Sequence, residues 1–462
     1  MGELLQNLEL EEKPEDQEIV DQESSIEDDL LDADDEGDAI DQTSDKLDDI
    51  TDDADTLEDV AIAMEAALSS GKINPELLSF TRAQISRIED RWKLPKSPIA
   101  SMESFETDEA AALKASLEGL GDLLTGIWDS IAEGFRAIRR GFKNLLIKIF
   151  DASAKIGKEA REVLGRAKSS NAVGGGKVSF SNKGLYIDGG SPTPKKLLEG
   201  MATLHRSAEF ALSKEDNKLA KQINDVCMDV AKAVVAGQDE GYLKVVKEGI
   251  TGIQSAFKKL AEGITGTSTT LSQKQSGVGL DVWLSGEFPG GKTVKISDAT
   301  VRTAWFVGIQ VLTNPAATAV AGVSNAFFRT PINYVVQAHD MTIGDFRTKT
   351  PRQGNYVAMS SKDTAALMQH VVDLCDIVYG YKRAWEEREG AEERHFEAIQ
   401  KVVGNPTGWN PFRRRAVTTV AAASQTVWRK TMSFDKDFMA YILKTCRLCI
   451  MYGKASLKGA AE

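Results

Sequence analysis

The sequence is poor in cysteine, and it shows neither the pattern of a signal peptide at its start nor a long uninterrupted apolar run. Four cysteines in 462 residues are too few for a disulfide framework, so we expect a reducing compartment. The first residues, MGELLQNLELEEK, lack the basic start and the apolar run of a secretory signal. The uncharged run from Ala304 to Phe328 is interrupted by Asn314-Pro315, which favours two buried helices over a stable membrane span.

Basic residues are almost absent from the first 60 positions. This segment has 26 Asp or Glu against two lysines, a net charge of −24, whereas the whole chain carries −13. The remaining residues therefore carry +11. An acidic arm on a basic body indicates that the arm masks the body, or that the body has an anionic partner. A solvated acidic tail with no binding role is the alternative interpretation.

One long amphipathic stretch, Glu109 to Lys168, dominates the middle of the chain. Its apolar residues recur every three or four positions, which predicts a continuous apolar stripe along one helix or a closely bent pair. They are Leu113, Leu117, Leu120, Leu124, Ile127, Ile131, Phe135, Ile138, Phe142, Leu145 and Ile149. The second half of the stretch is strongly basic, with ten Lys or Arg between Gly134 and Lys168.

Shifts in composition divide the chain into four segments. Residues 1–56 are acidic and lack periodicity, so they cannot bury enough apolar surface to offset their ordering entropy, and we predict a disordered arm. Residues 57–103 form a short helical segment, 104–170 the basic amphipathic helical stretch, and 171–462 a helical body that divides near 263–280. Two short β-hairpins, Lys177–Asp188 and Leu280–Ile296, complete a mainly α fold.

Helical periodicity and capping residues place the individual helices. Short helices are predicted at about 57–68 and 75–92. Those of the body are predicted at about 195–212, 214–236, 241–262, 298–312, 315–337, 361–403, 412–430 and 434–452.

Two short patterns could indicate catalysis or metal binding, and neither has the context that such a site needs. Gly286 to Thr293 matches the P-loop pattern, but the residues that follow favour a β-strand over the required helix. Cys446-x-x-Cys449 has no second pair of ligands, which favours core packing over zinc. We therefore predict no catalytic residue, no metal and no cofactor. A hydrolase or NTPase with its site in the C-terminal body is the alternative.

From Met102 onward a Ser-x-Glu site, an apolar series and a basic helix follow one another. The series contains Ser116-Leu117-Glu118-Gly119-Leu120, Ile127-Trp128, Ile131, Phe135, Ile138, Phe142-Lys143 and Ile149-Phe150-Asp151-Ala152. This order resembles the internal head (inner-body) proteins of very large tailed bacteriophages, over roughly residues 57–168. The resemblance implies a structural virion protein that is made in the host cytoplasm and lies inside the capsid after assembly. It also implies that a phage prohead protease removes an acidic N-terminal propeptide, and that the basic product stays with packaged DNA.

The resemblance further implies cleavage after Glu in a Ser-x-Glu context. Seven such sites occur, and three of them cluster between Ser101 and Glu118, so we predict cleavage after Glu103, Glu106 or Glu118. Glu118 ranks third, because a cut there would remove the first leucines of the apolar stripe. Residues 1–103 carry −23 and residues 104–462 carry +10. A cut after Glu103 would therefore convert an acidic precursor into a basic product.

Basic side chains that could contact DNA phosphates without sequence preference fall into two groups. The groups are Arg136, Arg139, Arg140, Lys143 and Lys148 on the amphipathic stretch, and Arg413, Arg414 and Arg415 near Trp428. The first group could instead dock on a capsid or inner-body protein or lie on a membrane surface, and the second could be a solvated helix start. A third functional reading is a protein ejected with the DNA that inserts its apolar segments into the host membrane.

Overall fold

The computed structural model describes most of the chain, in separate ranges. These are residues 15–71, 75–93, 109–180, 182–212, 239–266, 273–275, 278–301, 340–346, 356–403 and 411–458, with positions 221, 225, 228, 229 and 232. The helices are α1 Glu15–Ser70, α2 Pro75–Trp92, α3 Glu109–Ser169, α4 Pro194–Ala211, α5 Asp239–Thr265, α6 Ser361–Val403 and α7 Pro411–Lys458. The strands are β1 Gln273–Gln275, β2 Val278–Leu284, β3 Thr293–Val301 and β4 Asp340–Gly344. The predicted mainly α class is confirmed.

Helix α3 is the element on which the other long helices pack. It contacts α1, α6 and α7 along its length, and its predicted apolar stripe lies in the core, with Leu117 partly buried. Fully burying a side chain such as Phe142 or Ile131 stabilises the fold by about 1.5–3 kcal/mol relative to leaving it exposed. The stripe is therefore a packing surface within the protein.

Residues 15–56, which we predicted to be disordered, belong to helix α1, while residues 1–14 lie outside the described chain. The reason is a sparse apolar series hidden among the acids. Ile40, Leu47 and Ala54 are seven residues apart and are buried, which is the spacing of a helix that packs along another helix. Leu57 and Met64 continue the buried face, so α1 has a partner for its apolar residues.

The predicted hairpin at Leu280–Ile296 is confirmed, and it belongs to a four-stranded antiparallel sheet of order β1-β2-β3-β4. Its turn is a short 3-10 segment, Pro289–Gly291, in which Gly290 and Gly291 have φ of 82° and 75°. Only glycine adopts such angles without strain. The outer strands β1 and β4 were not predicted.

The predicted hairpin at Lys177–Asp188 is replaced by a different pairing. Lys177 bridges to Val357, and Ile187 bridges to Gly190. Phe180 packs on Tyr356 and Tyr452, with ring centroids 4.9 and 5.3 Å apart. This aromatic contact draws the segment toward the start of α6 and away from pairing with itself.

Helices α6 and α7 differ in how closely they follow the sequence prediction. Helix α6 matches its predicted span, and the Ser360 hydroxyl caps it by accepting the Asp363 N–H at 3.1 Å. The two helices predicted at 412–430 and 434–452 are one helix, α7. Buried Met432 and Phe434 carry the apolar face across the predicted break. A helix was also predicted at 298–312, but residues 298–301 form the end of strand β3. Residues 302–339 lie outside the described chain.

A buried ionic cluster joins α6 to α7. Asp435 is 1% exposed, accepts a hydrogen bond from the Tyr381 hydroxyl at 2.8 Å, and lies 4.0 Å from the Arg388 guanidinium. The same guanidinium lies over the rings of Trp385 and Trp428, at 5.7 and 5.5 Å from their centroids. The cluster fixes how α7 sits on α6.

Candidate functional site: basic residues beneath an acidic helix

The basic residues predicted on α3 do not share one environment. Arg139 is buried, and its guanidinium donates to the carbonyl of Glu389 at 2.8 Å and lies 3.5 Å from the carboxylate of Glu393. Lys143 is exposed and lies 3.4 Å from the Glu389 carboxylate. Both side chains therefore hold α6 against α3.

Arg136 and Arg140 lie closer to solvent. Arg136 is half-buried and pairs with Glu133 one turn earlier at 3.3 Å, whereas Arg140 is exposed. Arg413, Arg414 and Arg415 lie in the first turns of α7, but their side chains are outside the described part of the structure. Of the five predicted positions on α3, Arg140 and Lys143 have the exposure that a phosphate contact requires, and Lys143 is paired with Glu389.

The adjacent positions 139 and 140 allow a direct test of this difference. We expect Arg140→Ala to weaken binding of duplex DNA without changing stability, because its side chain is exposed. Arg139→Ala should lower the free energy of unfolding by about 2–3 kcal/mol, because it removes a buried charged hydrogen bond. Chemical denaturation and fluorescence anisotropy on the two variants would measure both effects. The reverse pattern would contradict this assignment.

Three basic residues lie directly beneath α1, and we call them the covered cations: Lys148 on α3, and Arg429 and Lys436 on α7. Lys148 is 3.2 Å from the carboxylate of Glu36. Lys436 is 2.7 Å from the carboxylate of Asp41. The guanidinium of Arg429 donates to the carbonyl of Ser44 at 2.7 Å and pairs with the carboxylate of Asp48. The side chains of Arg429 and Lys436 are only 8% and 10% exposed.

Close packing brings α1 near enough for these ion pairs. A Cβ atom at Gly134 would lie 3.0 Å from the Leu47 side chain, and one at Gly141 would lie 3.1 Å from Ile40. Both glycines therefore leave space on α3 for a large residue of α1. On α1 itself, a Cβ at Gly37 would lie 3.2 Å from the Lys436 side chain. Small residues on both sides thus let α1 settle onto α3 and α7.

Helix α2 is attached to α1 by polar contacts. Arg91 pairs with Asp49 at 2.7 Å and with Asp53 at 3.0 Å. The indole N–H of Trp92 donates to the Asp53 carboxylate at 2.8 Å. The N-terminal helices consequently form one acidic unit that lies on the basic part of the protein.

Electrostatics beneath α1 are set by burial as well as by charge. Next to Arg429, burial lowers the pKa of Lys430, while the carboxylates of Asp340 and Asp48 act in the opposite direction. Nearby carboxylates therefore offset part of the cost of burying a cation here.

The three predicted cleavage residues lie in two different settings. Glu103 and Glu106 are outside the described residues, in the connection between Lys93 and Glu109. Glu118 is exposed on helix α3. Because a protease needs an extended substrate, a cut after Glu118 would require part of α3 to unwind.

The P-loop pattern and the cysteine pair, which could have indicated catalysis or metal binding, have structural roles. Lys292 precedes β3 rather than a helix, and its ammonium lies 2.8 Å from the Asp345 carboxylate. Cys375, Cys446 and Cys449 are buried thiols, and a hydrogen bond with Cys375 together with burial raises the pKa of Cys446. Within the described ranges no cluster of His, Cys, Asp and Glu could hold a metal ion.

The apolar stretches that could enter a membrane are accounted for only in part. Ala304–Phe328 lies outside the described residues, and the Leu113–Phe150 stripe packs against other helices. Across the part of the chain that the structure describes, none of the helices is both long and apolar enough to cross a bilayer.

A family model for phiKZ-like phage internal head proteins matches residues 25–455. The chain therefore belongs to this family of structural proteins, which lie inside the phage capsid. The match extends the resemblance from roughly residues 57–168 to nearly the whole chain, and it includes most of α1. No curated protein and no solved structure matches the chain.

Proposed function

We propose that this internal head protein is matured by removal of its acidic N-terminal segment and is then retained with packaged DNA. The observation that supports the proposal is the position of α1, whose carboxylates pair with Lys148, Arg429 and Lys436. A segment that occupies basic residues in the precursor would keep them from DNA before packaging. Its removal would leave a product whose charge suits contact with DNA phosphates.

The connection between α2 and α3 is the place where a prohead protease would act. It joins an acidic helical unit to a basic one, and a cut after Glu103 or Glu106 would break no described helix. The released part would carry −23 and the retained part +10 for a cut after Glu103. Other capsid or inner-body proteins remain candidate partners of the retained part.

Terminal peptide mapping of the protein from mature heads tests the maturation proposal. We expect the mature chain to begin at Ser104 or Thr107, because the sites before these residues lie between helices. A start at Gly119 would indicate that α3 unwinds at Glu118. Intact peptides from residues 1–103 at stoichiometric abundance in mature heads would contradict maturation by cleavage.

A further inference from the structure

We propose that α1 is a tethered competitor of DNA for the covered cations, and that cleavage turns it into a ligand that DNA can displace. This inference rests on the proposed function, and it names the residues through which the acidic segment would regulate DNA binding. The site is formed by Lys148, Arg429 and Lys436, which the precursor keeps occupied with carboxylates.

The pairing beneath α1 is ordered along the helix. Glu36, Asp41 and Asp48 lie on the side of α1 that faces the cations. The separation of seven positions between Asp41 and Asp48 equals that between Arg429 and Lys436, with which they pair in antiparallel order. Seven helical residues span roughly 10 Å, which is about three base-pair steps along a DNA duplex. Two cations at this separation can therefore reach phosphates of the same backbone.

The covalent connection of α1 to the rest of the chain determines whether its carboxylates or DNA phosphates occupy the covered cations. In the precursor, α1 is held beside its site at an effective concentration in the millimolar range or above, so DNA in solution competes poorly. A cut between α2 and α3 removes the tether, but the buried residues Ile40, Leu47 and Leu57 still hold α1 in place. Cleavage alone therefore does not expose the cations. The high phosphate concentration of packaged DNA then displaces α1.

The experiment uses the full chain with a recognition sequence for a site-specific protease inserted between Lys96 and Ser101. We expect the two fragments to remain together in gel filtration after cutting. Adding excess duplex DNA should release the N-terminal fragment, and the affinity of the cut protein should exceed that of the uncut protein by more than about tenfold.

Charge variants identify the DNA contacts. In the cut protein, combined Lys148→Gln, Arg429→Gln and Lys436→Gln should reduce the slope of log affinity against log salt by about 2.7, the value for three lost phosphate contacts. The matched control, Lys158→Gln, Arg166→Gln and Lys168→Gln, removes the same charge from three other positions of α3, all of them exposed. It should keep the increase in affinity on cutting.

A second variant keeps the cations and weakens the competitor. Glu36→Gln, Asp41→Asn and Asp48→Asn should raise the DNA affinity of the uncut protein toward that of the cut one. Equal DNA affinity of the cut and uncut proteins would overturn the proposal, as would an unchanged affinity in both charge variants. These outcomes are independent of the sites that the phage protease uses, because the cut is engineered. A failure of the maturation proposal would instead be detected by peptide mapping of the protein from mature heads.

Discussion

Replacing Gly134 and Gly141 with leucine is expected to displace α1 from α3 and to raise the DNA affinity of the uncut protein. Each added side chain would occupy space now filled by Leu47 or Ile40, and overpacking of this kind costs about 1–3 kcal/mol per site. Helix α3 itself should not weaken, because leucine is a better helix former than glycine by up to about 1 kcal/mol. Hydrogen exchange at residues 36–70 and DNA binding of the full chain would measure both effects.

The same helix offers a matched control for this prediction. A Cβ atom at Gly121 or Gly126 would meet nothing within 4 Å, so Gly121→Leu and Gly126→Leu add the same apolar bulk without pushing on α1. The control should leave hydrogen exchange in α1 and DNA affinity unchanged. If Gly134→Leu and Gly141→Leu left the protection of α1 intact, close packing at the glycines would not be what holds it.

The central helix could be predicted from the sequence because its signal is local and strong. From Leu113 to Ile149 the apolar residues keep one face without interruption, and burial of that face follows directly from helix geometry. Helix α6 was placed for the same reason. These elements are specified by residues only three or four positions apart.

Helix α1 was missed because its signal is sparse and depends on a distant partner. Composition over residues 1–56 indicates disorder, and the heptad series of Ile40, Leu47 and Ala54 is easily lost among the acids. The series becomes meaningful only beside α3, where Gly134 and Gly141 leave room for it. An isolated helix of this composition would not bury enough surface to fold, so the cause of its order lies about 100 residues away.

The covered cations could be predicted from the sequence only in part, because their partners are also distant in sequence. Lys148 was a predicted phosphate contact, and charge asymmetry suggested that the acidic arm masks the body. That Asp48 pairs with Arg429, however, depends on chain segments 381 residues apart. Basic charge on α3 also suggested that Arg139 faces outward, whereas Glu389 and Glu393 hold it inside. Charge counts alone do not distinguish an exposed cation from one that is already paired.

Asp435→Asn is expected to lower the free energy of unfolding by about 3 kcal/mol or more. The change removes the carboxylate charge beside Arg388, whose side chain is only 3% exposed, and a buried charge without its counterion costs about 3–5 kcal/mol. Tyr381 can still donate its hydrogen bond to the new amide oxygen, so the loss comes mainly from the charge. The unfolding free energy from chemical denaturation is the measurement.

Glu386→Gln is the matched control, because it makes the same chemical change at an exposed position of α6. Surface substitutions of this kind usually change stability by no more than about 0.5 kcal/mol. An equally small effect of Asp435→Asn would contradict a stabilising role for the cluster. A large effect would show that the cluster stabilises the packing on α6 of α7, the helix that also carries Arg429 and Lys436.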